Sequence, residues 1–103
     1  MKLLIQSALI AATVGLSAPA LANQALAQKS GCLACHAVDK KIVGPAYQEV
    51  AKKYAGNTKP EELAKRIKAG GSGHWGPVPM PPQAALSEAD AKTLATWILG
   101  GAK

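Results

Sequence analysis

Between Gln24 and Lys103 the apolar side chains return every three or four residues, the period of a helix packed on one side, and nowhere alternate as a strand would. Tyr47, Val50, Ala51 and Tyr54 fall at i, i+3, i+4 and i+7 and make a single stripe. Pro45 marks the start of that helix and Gly56 its end. Thr58-Lys59-Pro60-Glu61 reads as a capping box opening another, with Leu63, Ala64 and Ile67 facing inward until Gly70. The last helix takes Ser87 as N-cap, with Asp90 three residues on. It turns Ala91, Leu94, Ala95 and Ile98 to the core, Trp97 beside them, and closes at Gly100-Gly101. A short first helix is expected over about Gln24–Ser30, stopped by Gly31. Residues 70–85 hold four Pro and four Gly in sixteen positions, which excludes regular structure, and a loop that long in a compact domain is usually functional. The expected class is all-α, without internal repeats.

The N-terminus carries an address rather than a fold element. Lys2 is followed by an apolar run to Leu16, a break at Ser17-Ala18-Pro19, and the small-residue site Ala20-Leu21-Ala22. Residues 1–22 are expected to be a cleaved secretory signal and residues 23–103 one domain. The competing reading is an uncleaved anchor, since no charge lies between Lys2 and Lys29 and about 20 residues can span a bilayer. Polar Gln6, Ser7 and Thr13 and the Pro19 break favour cleavage.

Composition narrows the picture further. After residue 22 there are 20 apolar side chains larger than Ala, and no Phe. A domain this small ordinarily needs a disulfide, a metal or a cofactor to hold its centre. Without Lys2 the chain keeps 11 Lys plus Arg against 6 Asp plus Glu. That excess suits an acidic partner surface; export makes nucleic acid an improbable target.

Cys32-Leu33-Ala34-Cys35-His36 is the most specific feature. Cysteines three positions apart on a helix-like turn can reach the two vinyl groups of one porphyrin and form thioethers, and the next residue can present its imidazole to the iron. Other uses of the same atoms fit less well. A redox dithiol needs a βαβ setting, a zinc site needs paired histidines and finds only adjacent His36 and isolated His74, and a disulfide over so short a loop pins little chain. The expected cofactor is one covalent haem c, with His36 as an axial ligand. Met80, His74, Tyr47, Tyr54 and the lysines are the candidates for the second axial position. Val78-Pro79-Met80-Pro81-Pro82 favours Met80, because prolines on both sides fix the backbone around a weak thioether ligand. His74 is the rival.

With these motifs in hand, the chain from Asn23 to Lys103 resembles the short bacterial class I cytochromes c. The resemblance is densest at Gly31–His36, Val43-Gly44-Pro45-Ala46-Tyr47, Trp75–Pro82 and Thr93–Leu99. It implies about four helices wrapped around the haem, the first and last crossing with Leu26 and Ala27 against Leu94 and Trp97. It also implies that the Pro45 carbonyl accepts from His36, and that Arg66 and Trp75 donate to a haem propionate. Gln83 falls where relatives often place Asn near the Met sulfur; His74 falls where an apolar residue is expected. The implied function is single-electron transport in the periplasm by a monomer, not an enzyme, with no stable membrane insertion after cleavage. Implied partners are redox proteins: a cytochrome bc1-type complex, nitrite reductase, a terminal oxidase or a peroxidase. Lys29, Lys40, Lys41, Lys52 and Lys53 are expected near the exposed haem edge, where they would steer acidic partners.

Overall fold

The computed structural model describes residues 19–103, with side chains from 23 onward. The described residues form four α-helices, α1 (Pro19–Lys29), α2 (Tyr47–Tyr54), α3 (Pro60–Ala69) and α4 (Glu88–Leu99), with a 3-10 turn at Cys32–Ala34. The described residues contain no strand, only isolated bridges at His36–Lys41 and Gly71–Met80. The fold is all-α, as the periodicity predicts. The predicted leader lies mostly outside the described residues.

Three helix starts differ from the sequence expectation. Helix α1 begins at Pro19, not near Gln24; a proline is tolerated in the first turn because no N–H is needed there. Helix α2 begins at Tyr47 rather than Pro45, because Ala46 stays extended at φ −61°, ψ 142°. The first helical bonds go to the Ala46 carbonyl, which leaves the Pro45 carbonyl outside the helix and open to another donor. The capping box before α3 does not form. Pro60 occupies the first turn and keeps Lys59 extended, and the Thr58 hydroxyl donates to Asn57 Oδ1 at 2.8 Å instead.

The Ser87 cap does form, its Oγ accepting from the Asp90 N–H at 3.0 Å. Ser87→Ala is expected to cost about 1 kcal/mol, or a melting temperature lower by ~4–8 °C for a domain of this size. An unchanged thermal melt would show that α4 does not depend on this cap.

Helix α4 is the hub, with α1, α2 and α3 all packed on it. Ala27 on α1 and Ala91 and Ala95 on α4 are fully buried, and such small side chains let helix backbones approach closely. The tail folds back under α4: the Ala102 N–H donates to the Trp97 carbonyl at 2.9 Å, and the Trp97 indole N–H donates to the Lys103 carbonyl at 3.2 Å. Among the described residues Leu94 is the one large side chain that is fully buried.

Candidate functional site: a cleft between the cysteine turn and the proline loop

Gly31, in the left-handed region at φ 81°, turns the chain out of α1 into the 3-10 turn. The N–H groups of Cys35 and His36 both donate to the Cys32 carbonyl, at 3.1 and 3.0 Å. One tight turn thus carries both thiols and the imidazole. Both cysteines are free and partly buried. Burial pushes the Cys32 thiol above its ordinary range, with the Tyr47 hydroxyl pulling it part of the way back.

His36 Nδ1 lies 2.8 Å from the Pro45 carbonyl oxygen. A carbonyl can only accept, so Nδ1 carries the hydrogen and Nε2 keeps its lone pair for a metal. Gly44 makes this approach possible. A Cβ there would sit 2.6 Å from His36 Cε1 and 2.9 and 3.0 Å from the two ring nitrogens, which places it over the face of the ring rather than at its edge. The Gly44 N–H is also tied to the Cys35 carbonyl at 2.7 Å, so the segment cannot slide away. Gly44→Ala is expected to destabilise by about 1–3 kcal/mol, as overpacking does, and to disturb the His36–Pro45 bond. A denaturant midpoint equal to wild type would refute that.

The Pro/Gly loop supplies the rest of the site. Gly71 and Met80 exchange two backbone bonds, at 3.0 and 2.8 Å, and the Gly73 N–H closes the tip on the Gly76 carbonyl at 2.9 Å. The Gln83 N–H moors the returning chain to the Lys68 carbonyl of α3 at 2.9 Å. Gly70 has φ 68°, and a Cβ there would run into the Met80 carbonyl and the backbone of Pro81 and Pro82. Met80 is held from both sides.

His36, Cys32, Cys35 and Met80 line one cleft of about 460 Å³, within the range of small-molecule sites. Val50, Leu63, Ile67, Leu94 and Ile98 also line it. The donor set suits a flat apolar group bearing a soft metal: two free thiols on one turn, an imidazole with a lone pair to give, and a thioether on a rigid loop. A zinc reading lacks ligands, since no group of three or more His, Cys, Asp or Glu is placed to hold an ion among the described residues.

A family model described as Cytochrome c matches residues 18–102. The chain belongs to the cytochrome c family. It is 56% identical over 82 residues to cytochrome c-551 of Allochromatium vinosum, covering 79% of this chain and 87% of that one. It is 55% identical over 92 residues to cytochrome c-552 of Hydrogenobacter thermophilus, covering 88% and 93%. Its fold is similar to the crystal structure of wild-type cytochrome c552 of Nitrosomonas europaea, with TM-score 0.72, 51% identity, and 75% and 96% of the two chains covered. Its cofactor is covalently bound haem c, and it is a small electron-carrying cytochrome.

The remaining candidate residues lie around the same cleft. Arg66, Trp75, His74 and Gln83 all line it. Tyr54 joins two of them: the Arg66 guanidinium lies 5.1 Å from its ring centre, and Trp75 meets it edge-on at 6.1 Å. Trp75 is 42% exposed, so it is not the core aromatic that its size alone suggests. The Gln83 amide donates to the Pro81 carbonyl at 3.1 Å. Lys53 Nζ lies 4.5 Å from the Trp75 ring centre and donates to the His74 carbonyl at 2.6 Å, pinning the loop tip to α2. Of the five lysines expected at the haem edge, only Lys41 lines the cleft. Lys52 is paired with Glu49 at 3.0 Å, and Lys29 lines a separate hollow beside Leu26 and Pro82. The sequence marks Gly44 only as part of the Val43–Tyr47 segment and Gly70 only as a helix stop. The signal for Gly44 was its place directly before Pro45, in a segment that must run beside the imidazole.

Proposed function

We propose that the chain is a periplasmic single-electron carrier, exported by residues 1–22, that holds haem c through thioethers at Cys32 and Cys35 and between His36 and Met80 as axial ligands. The bound group supplies an iron centre that cycles between Fe(II) and Fe(III). Iron held there by both His36 and Met80 would have no position open to a substrate, which fits a carrier and not an enzyme. The observation that supports this best is the orientation of His36: its Nδ1–H is committed to Pro45 at 2.8 Å, which turns Nε2 to ligation while Met80 lines the same cleft. Pro45 anchors one edge of the imidazole. Arg66 and Trp75 are the donors for a propionate, and Gln83 braces the loop behind Met80. Among the described residues no helix is long and apolar enough to cross a membrane.

The partners proposed are respiratory redox proteins: a cytochrome bc1-type complex as donor, and nitrite reductase, a terminal oxidase or a peroxidase as acceptor. The protein acts as a monomer with no role for nucleic acid. Rapid mixing of the reduced protein with such an acceptor tests this. Oxidation by one electron per chain is expected, slowing as salt screens the surface charge over a Debye length of about 8–10 Å near physiological strength. Failure to pass electrons to every such acceptor would defeat the carrier reading, and a salt-independent rate would defeat steering by lysines. Edman sequencing of the exported protein should begin at Asn23; a start at Met1 would defeat signal cleavage.

A further inference from the structure

The hydrogen bond to Pro45 anchors one edge of the His36 ring but does not by itself set the tilt of the ring plane. Tyr47 adds a constraint on that tilt. Its ring stacks on His36 with centroids 4.9 Å apart and planes only 20° from parallel. Tyr47 cannot give way in turn. It is 4% exposed, its N–H is fixed to the Ala37 carbonyl at 2.9 Å, and its ring meets Trp97 edge-on at 5.5 Å. Trp97 is itself held by the folded-back tail through Lys103. A rigid line therefore runs from the C-terminal tail through Trp97 and Tyr47 to the imidazole.

We infer that Tyr47 is a positioning residue for the axial histidine, setting the rotation of the His36 ring plane about the iron–nitrogen axis. The consequence is electronic. The imidazole π system overlaps one combination of the two iron d orbitals of matching symmetry, so the ring's orientation decides how unpaired spin is shared among the porphyrin quadrants. It also contributes to the relative stability of the two oxidation states. The segment that links His36 to α2 is short, and Gly44 leaves no spare volume against the ring. The stacked Tyr47 face is thus a direct control on that angle from a neighbouring helix.

The inference rests on His36 being the axial ligand, and the test separates the two. Proton NMR of the oxidised holoprotein reads the spin distribution from the hyperfine-shifted porphyrin methyl resonances. Tyr47→Phe keeps the flat face and should preserve their order and spread. Tyr47→Leu removes the face and should reorder them, with a change in reduction potential. A wild-type methyl pattern in Tyr47→Leu would overturn the positioning role, even if the variant is less stable. Should Tyr47→Leu fail to fold, the wild-type protein carries the test: a stacked, clamped ring should show slowed flipping and strong cross-relaxation with the His36 ring protons, and a freely flipping ring distant from them would overturn the role. Absence of strongly shifted His36 ring protons in the wild type would instead undo the ligation itself.

Discussion

Met80→Ala is expected to lower the reduction potential by on the order of hundreds of millivolts, within the ~0.8 V range that axial ligation spans, and to erase the sulfur-to-iron charge-transfer band of the oxidised protein. A thioether is a soft, neutral ligand that favours Fe(II), and its loss favours Fe(III). The effect should be large because little else can replace it in place. The two backbone bonds with Gly71 and the flanking Pro79 and Pro81 fix this segment, so the loop cannot simply advance another side chain by one or two residues. Potentiometric titration of wild type and variant measures it. A potential within a few tens of millivolts of wild type, with the band intact, would remove Met80 from the iron.

The second large effect is on folding. Cys32→Ala/Cys35→Ala, which removes both thioethers, is expected to yield protein that releases its haem and then loses most of its helix signal in circular dichroism. Val50, Leu63, Ile67, Leu94 and Ile98 line the cleft, and without the haem to cover them they face water at a cost of roughly 25 cal/mol per Å² of apolar surface. The buried core beside them is small and rich in alanine, so it holds little reserve against that loss. A haem-free variant that remains helical and melts cooperatively would show that the polypeptide core stands alone.

The helical periodicity was legible because each helix turns one apolar stripe to a shared partner. Tyr47, Val50, Ala51 and Tyr54, and Ala91, Leu94, Ala95 and Ile98, are all buried where the spacing puts them. Helix starts were less legible, because proline has two local uses. Pro60 opens its helix from the first turn and displaces the Thr58 cap, whereas Pro45 stays outside α2 and keeps its carbonyl for His36. Sequence spacing alone does not distinguish these; what decides is which carbonyl a distant side chain needs.

The cysteine motif and the proline-flanked Met80 were legible as chemistry because few other functions require those residue types at that spacing. The supporting contacts were not. Gly44 matters through a ring face that lies eight residues away in the chain, and Gly70 through the returning backbone at Pro81 and Pro82. Lys53 acts on the loop tip 21 residues away. Such contacts arise only when the loop has been folded onto the helices. The lysines show the same: five basic residues suggest a ring of charge, and the fold puts Lys41 on the cleft, pairs Lys52 with Glu49 and ties Lys53 to the loop tip.

The central claim is that this cleft holds one haem, covalently through Cys32 and Cys35 and axially through His36 and Met80. Absorption spectra of the oxidised and reduced protein, produced with haem-maturation machinery and recorded before and after acid-acetone extraction, test it most directly. Colour that survives extraction, a low-spin reduced spectrum and the sulfur-to-iron band in the oxidised form are expected together. Colourless protein, or haem that extracts freely, would contradict the claim.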